Sequence, residues 1–164
     1  MKQICYVMVK PDFANNPEVI KMLKNKILNT GFEILVEGFV QYNVQASRTH
    51  YSDHVEKPFY PALENYITSD VAYGMIVAGE NVIDIIHSAE FMGSTRDPKE
   101  NTIRYEGLKL MGYLERDPLI NGRENVAHSS DSIEAAEKES AIFIDLLKNE
   151  IQKSNDDKIE EKTK

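Results

Sequence analysis

The sequence predicts an α/β (α+β) sandwich, a mainly antiparallel four-stranded sheet with helices packed on it. Three observations predict it. Short apolar runs of strand length alternate with stretches of helical period along the chain. No internal repeat is visible. Apolar residues make up 41% of the 164 positions, enough to bury one core in a single domain.

The first element is the run Ile4-Cys5-Tyr6-Val7-Met8-Val9. It is apolar almost throughout, so it reads as a central strand, and Lys10-Pro11-Asp12 ends it because proline offers no ladder donor. Asn16-Pro17 then sets a cap before a first-turn proline, and Val19, Ile20, Leu23 and Ile27 follow at helical spacing until Gly31. From Phe32 to Tyr42, apolar Phe32, Ile34, Val36 and Val40 alternate with Glu33, Glu37 and Gln41, as in a strand with one buried face. Residues 45–69 hold two short helical stretches, around His50-Tyr51 and from Pro61 to Ile67, broken at Lys57-Pro58. Val71 to Ala78 is another strand, and Val82, Ile83, Ile85 and Ile86 begin a helix. Residues 92–125 show loop chemistry without a sustained period. A connection that long inside a compact domain is usually functional, so it is expected to wall a site. A short strand then precedes a helix opened by the capping-box spacing of Asp131 and Glu134, which runs to about Ile151. Gln152 to Lys164 is polar throughout, so the domain is read as 1–151 with a flexible polar tail over 152–164.

Charge and motif content exclude several function classes. A net charge of −8 argues against broad binding to nucleic acid or an anionic membrane, so any phosphate site must be local. The single cysteine, Cys5, lies in an apolar run, where it packs as a small hydrophobe; a reducing, cytoplasmic setting is expected. No stretch resembles a signal peptide, and no apolar run approaches the roughly 20 residues that span a bilayer. There is neither a GxxxxGK[ST] loop nor a GxGxxG turn, so a nucleotide site would have to be built another way. Among His50, His54, His87 and His128, neither zinc-like spacing nor a Ser/His/Asp order appears, and His87 reads as a helix-surface residue.

Winding residues 132–151 at about 100° per residue puts Ile133, Ala135, Ala136, Ile142, Phe143, Leu146 and Leu147 on one arc. Glu139 falls inside that arc. It either reaches out to solvent along its stem or is buried with a partner, because an unpaired buried carboxylate costs several kcal/mol. His128, just before the predicted helix, is a candidate partner: a helix N-terminus favours anions and keeps a neighbouring imidazole neutral and nucleophilic. A structural histidine fits the same position. Lys10, Tyr51, Thr95, Arg104 and Asn125 lie beside loops or element ends, where they could converge on phosphate or remain solvated. Phe59 and Tyr60 could stack on a base or pack in the core.

These residues fall in an order that resembles the nucleoside diphosphate kinase family from about Cys5 to Phe143. Val9-Lys10-Pro11-Asp12 is similar to its VKPD segment, His50-Tyr51 with Lys57-Pro58-Phe59-Tyr60 to its HY…(K/R)PFF segment, and Thr102-Ile103-Arg104 to its TIR. Asn125-Val126-Ala127-His128-Ser129-Ser130-Asp131-Ser132 resembles its N-x-x-H-(G/A)-S-D-S signature. The resemblance implies a ferredoxin-like fold, a homo-oligomer of four or six subunits, and transfer of the γ-phosphoryl of a nucleoside triphosphate to a diphosphate through a phosphohistidine at His128. It further implies that Glu139 orients the imidazole, that Lys10, Tyr51, Thr95, Arg104 and Asn125 position phosphates near His54, and that Phe59 stacks on the base flanked by Leu63. Mg²⁺ would be held mainly through the nucleotide phosphates, with no protein metal cage.

The chain departs from the family pattern near the site. Ala89 stands where an arginine is usual, Glu124 replaces another, with Arg123 one position earlier, and residues 105–124 are longer than usual. Ser129 replaces a smaller residue, Asn15-Asn16 replaces Arg-Gly, and Lys99-Glu100-Asn101 lacks the common Pro-Gly. Arg116 or Arg123 is expected to supply the missing cation. The competing readings are a nucleotide-binding or regulatory protein with reduced turnover and, setting the resemblance aside, a regulatory domain with structural His128 and Glu139.

Overall fold

The computed structural model describes residues 2–163, with side chains to residue 160. Its sheet has four strands, β1 (Lys2–Val9), β2 (Glu33–Val40), β3 (Ala72–Glu80) and β4 (Ala127–Ser129), in the order β2-β3-β1-β4. Every pairing is antiparallel. β1 is central, as its apolar run predicts. It pairs with β3 from Lys2 opposite Glu80 to Val9 opposite Tyr73, and with β4 from Val7 opposite Ser129 to Val9 opposite Ala127.

Because strand side chains alternate, β1 feeds two cores. Cys5, Val7 and Val9 join Leu23, Ile86 and Ile103 on one face. Tyr6 and Met8 join Tyr60, Leu63, Ile67 and Phe143 on the other. Burial pushes the Cys5 thiol up to about 12, so it stays protonated as a packing group.

The helices are α1 (Pro17–Asn29), α2 (Val44–His50), α3 (Tyr60–Ile67), α4 (Val82–His87), α5 (Ile103–Met111), α6 (Pro118–Arg123) and α7 (Ile133–Thr163). α1 starts where the Asn-Pro pair places it: the Asn16 side chain accepts from the Glu18 amide at 3.0 Å.

Three expectations are corrected. The stretch 92–125 is not one long loop but carries α5 and α6. Their caps are ordinary: Thr102 accepts from the Tyr105 amide, Asp117 precedes Pro118, and Gly112 takes the left-handed turn at φ 74°. The period was hidden because α6 buries nothing, and α5 has a glycine in its buried face. A Cβ on Gly107 would lie 2.5 Å from Val126, so this helix packs by close approach rather than through an apolar stripe. The cap of α7 is Ser132, whose Oγ accepts from the Ala135 amide at 3.0 Å, rather than Asp131. Finally, α7 continues past Ile151 to Thr163 with its side chains from 151 to 160 exposed. Polar contacts one turn apart support that extension, such as Gln152 to Asp156 at 2.9 Å. Lys164 lies outside the described residues. Among the described residues, no helix is long and apolar enough to cross a membrane.

Candidate active site

His128 is placed by backbone. β4 sets it opposite Met8, between the buried residues Ala127 and Ser129, so its side chain faces the other way and stays 23% exposed. Just upstream, the Ala127 amide donates to the Asn125 carbonyl at 3.0 Å, closing a γ-turn around Val126 at φ 82°. Positive φ in a β-branched residue is strained by about 1–3 kcal/mol. The turn is held from outside: the Lys10 amide donates to the Val126 carbonyl at 2.9 Å, and Arg104 Nε to the Asn125 carbonyl at 3.2 Å. Lys10, Arg104, Asn125 and His128 are thus tied through one short piece of chain.

Glu139 is buried, 5% exposed, and its partner is His128. Oε1 accepts from His128 Nε2 at 2.8 Å and from Ser130 Oγ at 2.8 Å. Ser130 Oγ is itself fixed by the Tyr6 amide at 3.0 Å. A proton on Nε2 leaves the lone pair on Nδ1. Burial, reinforced by Lys10 and Arg104, pushes the His128 imidazole down to about 3, so it is neutral at physiological pH. Burial raises the Glu139 carboxyl.

Lys10 donates from Nζ to Asn125 Oδ1 at 2.7 Å and to the Arg123 carbonyl at 3.3 Å. Burial, with Arg104 nearby, lowers its ammonium to about 7. The Arg104 guanidinium donates to the carbonyls of Asn125, Gly93 and Ala127 at 3.2, 2.8 and 3.1 Å. Burial brings it down to about 10, so it remains charged. Three of its five N–H groups are spent on rigid carbonyls, and two are left for a ligand. Gly93, at φ 96°, lets its carbonyl reach Arg104, and a Cβ there would lie 2.5 Å from Thr102 Oγ1.

A cavity of about 250 Å³ opens on this group, lined by His128, Glu139, Arg104, Tyr51, His54 and His87, among others. The Tyr51 hydroxyl and His54 Nδ1 are buried there with no hydrogen-bond partner among the described residues. Buried polar groups are normally satisfied, so these two orphans mark a place for a polar ligand. Phe59 is 50% exposed, its ring 5.6 Å from that of His54.

Of the residues named from sequence, His128, Glu139, Arg104, Tyr51 and His54 meet at the cavity, and Lys10 and Asn125 stand behind it. Thr95 is exposed on the segment after Gly93 and is not among the lining residues, and Leu63 is packed in the core beneath α3. Two histidines were missed. His87 is exposed, but it borders the cavity and its Nδ1 lies 3.3 Å from Ser129 Oγ. His50 is buried with Nε2 only 3.2 Å from His128 Nε2. Its place at the end of a short helix carried no periodicity that could reveal this.

The departures also find places. Glu124 pairs with Arg123 at 3.3 Å and Arg116 at 3.7 Å, and the Arg116 guanidinium stacks on Tyr113 at 4.0 Å. Neither arginine lines the cavity.

A neutral, partly buried histidine, oriented by a carboxylate and flanked by a lysine and an arginine with donors to spare, is the equipment of a protein that moves a phosphoryl group through histidine. The family model for nucleoside diphosphate kinase matches residues 3–148. The chain is 30% identical to the nucleoside diphosphate kinase of Staphylococcus carnosus over 93% of both chains. It is 32% identical to that of Methanosphaera stadtmanae over 88% of both. Its fold is similar to the crystal structure of the Encephalitozoon cuniculi nucleoside diphosphate kinase, with a TM-score of 0.70 at 21% identity, covering 87% of this chain and 88% of that one. It is also similar to the structure of a Halobacterium salinarum nucleoside diphosphate kinase in complex with CDP, with a TM-score of 0.67 at 25% identity over 87% and 88%. The chain belongs to the nucleoside diphosphate kinase family.

Proposed function

We propose that this protein transfers the γ-phosphoryl group of a nucleoside triphosphate to a nucleoside diphosphate in a ping-pong cycle through His128. The observation that carries the reading is the 2.8 Å hydrogen bond from His128 Nε2 to buried Glu139, which leaves Nδ1 as the nucleophilic nitrogen beside the cavity. In the first half-reaction the Nδ1 lone pair forms a bond to the γ-phosphorus. The bond from that phosphorus to the bridging oxygen breaks, and its electron pair leaves on the diphosphate. Nε2 keeps its proton, and Glu139 stabilises the positive charge that develops on the ring. The second half-reaction runs the same steps in reverse toward a new diphosphate.

Lys10, Arg104 and Asn125 hold the phosphates, and Tyr51 and His54 donate their unpartnered polar atoms. Thr95 reaches the outer phosphates from its exposed segment. Phe59 stacks on the base with Leu63 packed behind it, and stacking tolerates any base. His87, rather than Arg116 or Arg123, supplies the extra donor at the cavity edge. Glu124 offers no support for a form that binds without turnover, because its carboxylate is engaged by both arginines.

Among the described residues, the one cluster of metal-type donors is His50, His128 and Glu139. A set with two nitrogens does not suit Mg²⁺, which prefers oxygen. Mg²⁺ would instead be carried on the nucleotide phosphates held by Lys10, Arg104 and Asn125, and would supply charge neutralisation there. A homo-oligomer of four or six subunits in the cytoplasm completes the reading. It is supported by Leu35 and Phe39, each 50% exposed on the edge strand β2, and by the single buried thiol.

Incubation with γ-labelled ATP and Mg²⁺ tests the activity. Acid-labile, base-stable label must appear on the chain and leave on addition of a diphosphate. Label that never forms, or stays when the acceptor is added, defeats the reading.

A further inference from the structure

One buried histidine has no part in the transfer just described. His50 is 4% exposed, lines the inner cavity wall, and has its Nε2 3.2 Å from that of the nucleophile. We propose that His50, His128 and Glu139 form a binding site for a borderline transition-metal ion of the Zn²⁺ type, and that an ion there silences the nucleophile.

The geometry is that of three ligands turned to a common point. One donor atom from each residue lies within 4.8 Å of the other two. His128 Nε2 lies 3.2 Å from His50 Nε2 and 2.8 Å from Glu139 Oε1, and His50 Nε2 lies 3.8 Å from the other oxygen of that carboxylate, Oε2, so the edges between donors run from 2.8 to 3.8 Å. With Zn–N and Zn–O bonds near 2.0–2.1 Å, neighbouring ligands of a tetrahedral ion lie about 3.3 Å apart. The observed edges bracket that distance, so small ring rotations complete the site. Its fourth position faces the cavity, where water or an anion can enter.

The surroundings also suit an ion. His50 Nδ1 lies 3.4 Å from the Tyr42 hydroxyl, which lies 2.9 Å from the Tyr6 hydroxyl. A donor hydrogen bond from Nδ1 fixes the tautomer that presents Nε2 as a ligand. Ser130 holds Glu139 from the other side. Two imidazoles and a carboxylate select zinc-like ions over Mg²⁺.

Silencing follows from proton placement, and this part rests on the reading of His128 as nucleophile. To ligate through Nε2, the neutral His128 ring must move its one proton to Nδ1. The lone pair that attacks phosphorus then goes to a bond with hydrogen, and Glu139 turns from orienting the ring to holding the ion. No net proton is lost from His128, and the effect reverses when the ion is removed.

The test uses the full chain stripped with a chelator and titrated with Co²⁺. About one equivalent should bring up the intense visible absorption of tetrahedral Co²⁺, and Zn²⁺ should displace it. In parallel, Zn²⁺ in the presence of excess Mg²⁺ and ATP should suppress labelling of His128, and a chelator should restore it. His50→Gln should weaken Zn²⁺ inhibition by more than about tenfold, since loss of a ligand exceeds the loss of an outer-shell partner. Glu139→Gln should likewise lose the Co²⁺ band. No tetrahedral band in the native chain, or a band and Zn²⁺ sensitivity unchanged in His50→Gln, overturns the site. A Co²⁺ band in a chain that takes no label from ATP would keep the metal site and sink the kinase reading instead.

Discussion

The two ends of the cavity are built differently. At the inner end, His128, Glu139, Ser130 and Tyr6 form a hydrogen-bonded chain between β1, β4 and α7, its successive links 2.8, 2.8 and 3.0 Å long. At the outer end, Tyr51 and His54 carry unpartnered atoms, and Phe59 is half exposed beside His54. The inner end is already hydrogen-bonded, and on the proposed reading a nucleotide completes the outer end. Catalytic groups held in place cost no reorganisation in the transition state, whereas binding groups can order as the ligand enters. Changes at the inner end should therefore act on turnover, and changes at the outer end on affinity.

The largest effect should come from Glu139→Gln. It keeps the shape but removes the charge that stabilises the phosphorylated ring, so kcat should fall by about 10²-fold with little change in KM, measured by steady-state turnover. A pure KM effect would erase the distinction between the two ends.

Lys10 gives the next largest effect and a sign. On the proposed reading its charged form holds phosphate, and in the fold that form persists only below about 7. kcat/KM should therefore be full at lower pH and fall as pH rises through about 7, by roughly tenfold for each further unit. Bound phosphate favours the ammonium, so the limb in kcat should lie at higher pH. A kcat/KM profile flat to pH 9, or one that Lys10→Gln leaves in place, would contradict this.

Smaller effects belong to the outer end. Phe59→Ala should raise KM for every nucleotide by about 5- to 150-fold, the equivalent of losing about 1–3 kcal/mol of stacking, while kcat stays within a few-fold. His87→Ala should raise KM by a few-fold, the size of one hydrogen bond. If His87→Ala instead left KM unchanged and Arg116→Ala raised it, the extra donor would belong to α6.

Legibility in the sequence followed the same division. β1 could be read because a strand covered on both faces has no polar register, and α1 because Asn16-Pro17 and Gly31 mark its ends. Glu139 stood out because a carboxylate inside an apolar arc either reaches out to solvent or needs a partner, and in the fold it is buried with His128 at 2.8 Å. The outer parts could not be read this way. α5 packs through Gly107 against Val126, a contact between elements with no local signature. His87 is exposed, as its helix position predicts, but its place at the cavity depends on β4 bringing Ser129 beside it. His50 lies 78 residues from His128 in the chain, and only the packing of α2 joins them.

The central claim is that His128 reacts through Nδ1 because Glu139 occupies Nε2. Phosphorus NMR of the denatured phosphoenzyme, combined with mass spectrometry of its peptides, reads both the residue and the nitrogen. A single Nδ1-phosphohistidine at His128, absent from His128→Ala, is the predicted result. Phosphate on Nε2 of His128, or on any other residue, would contradict it.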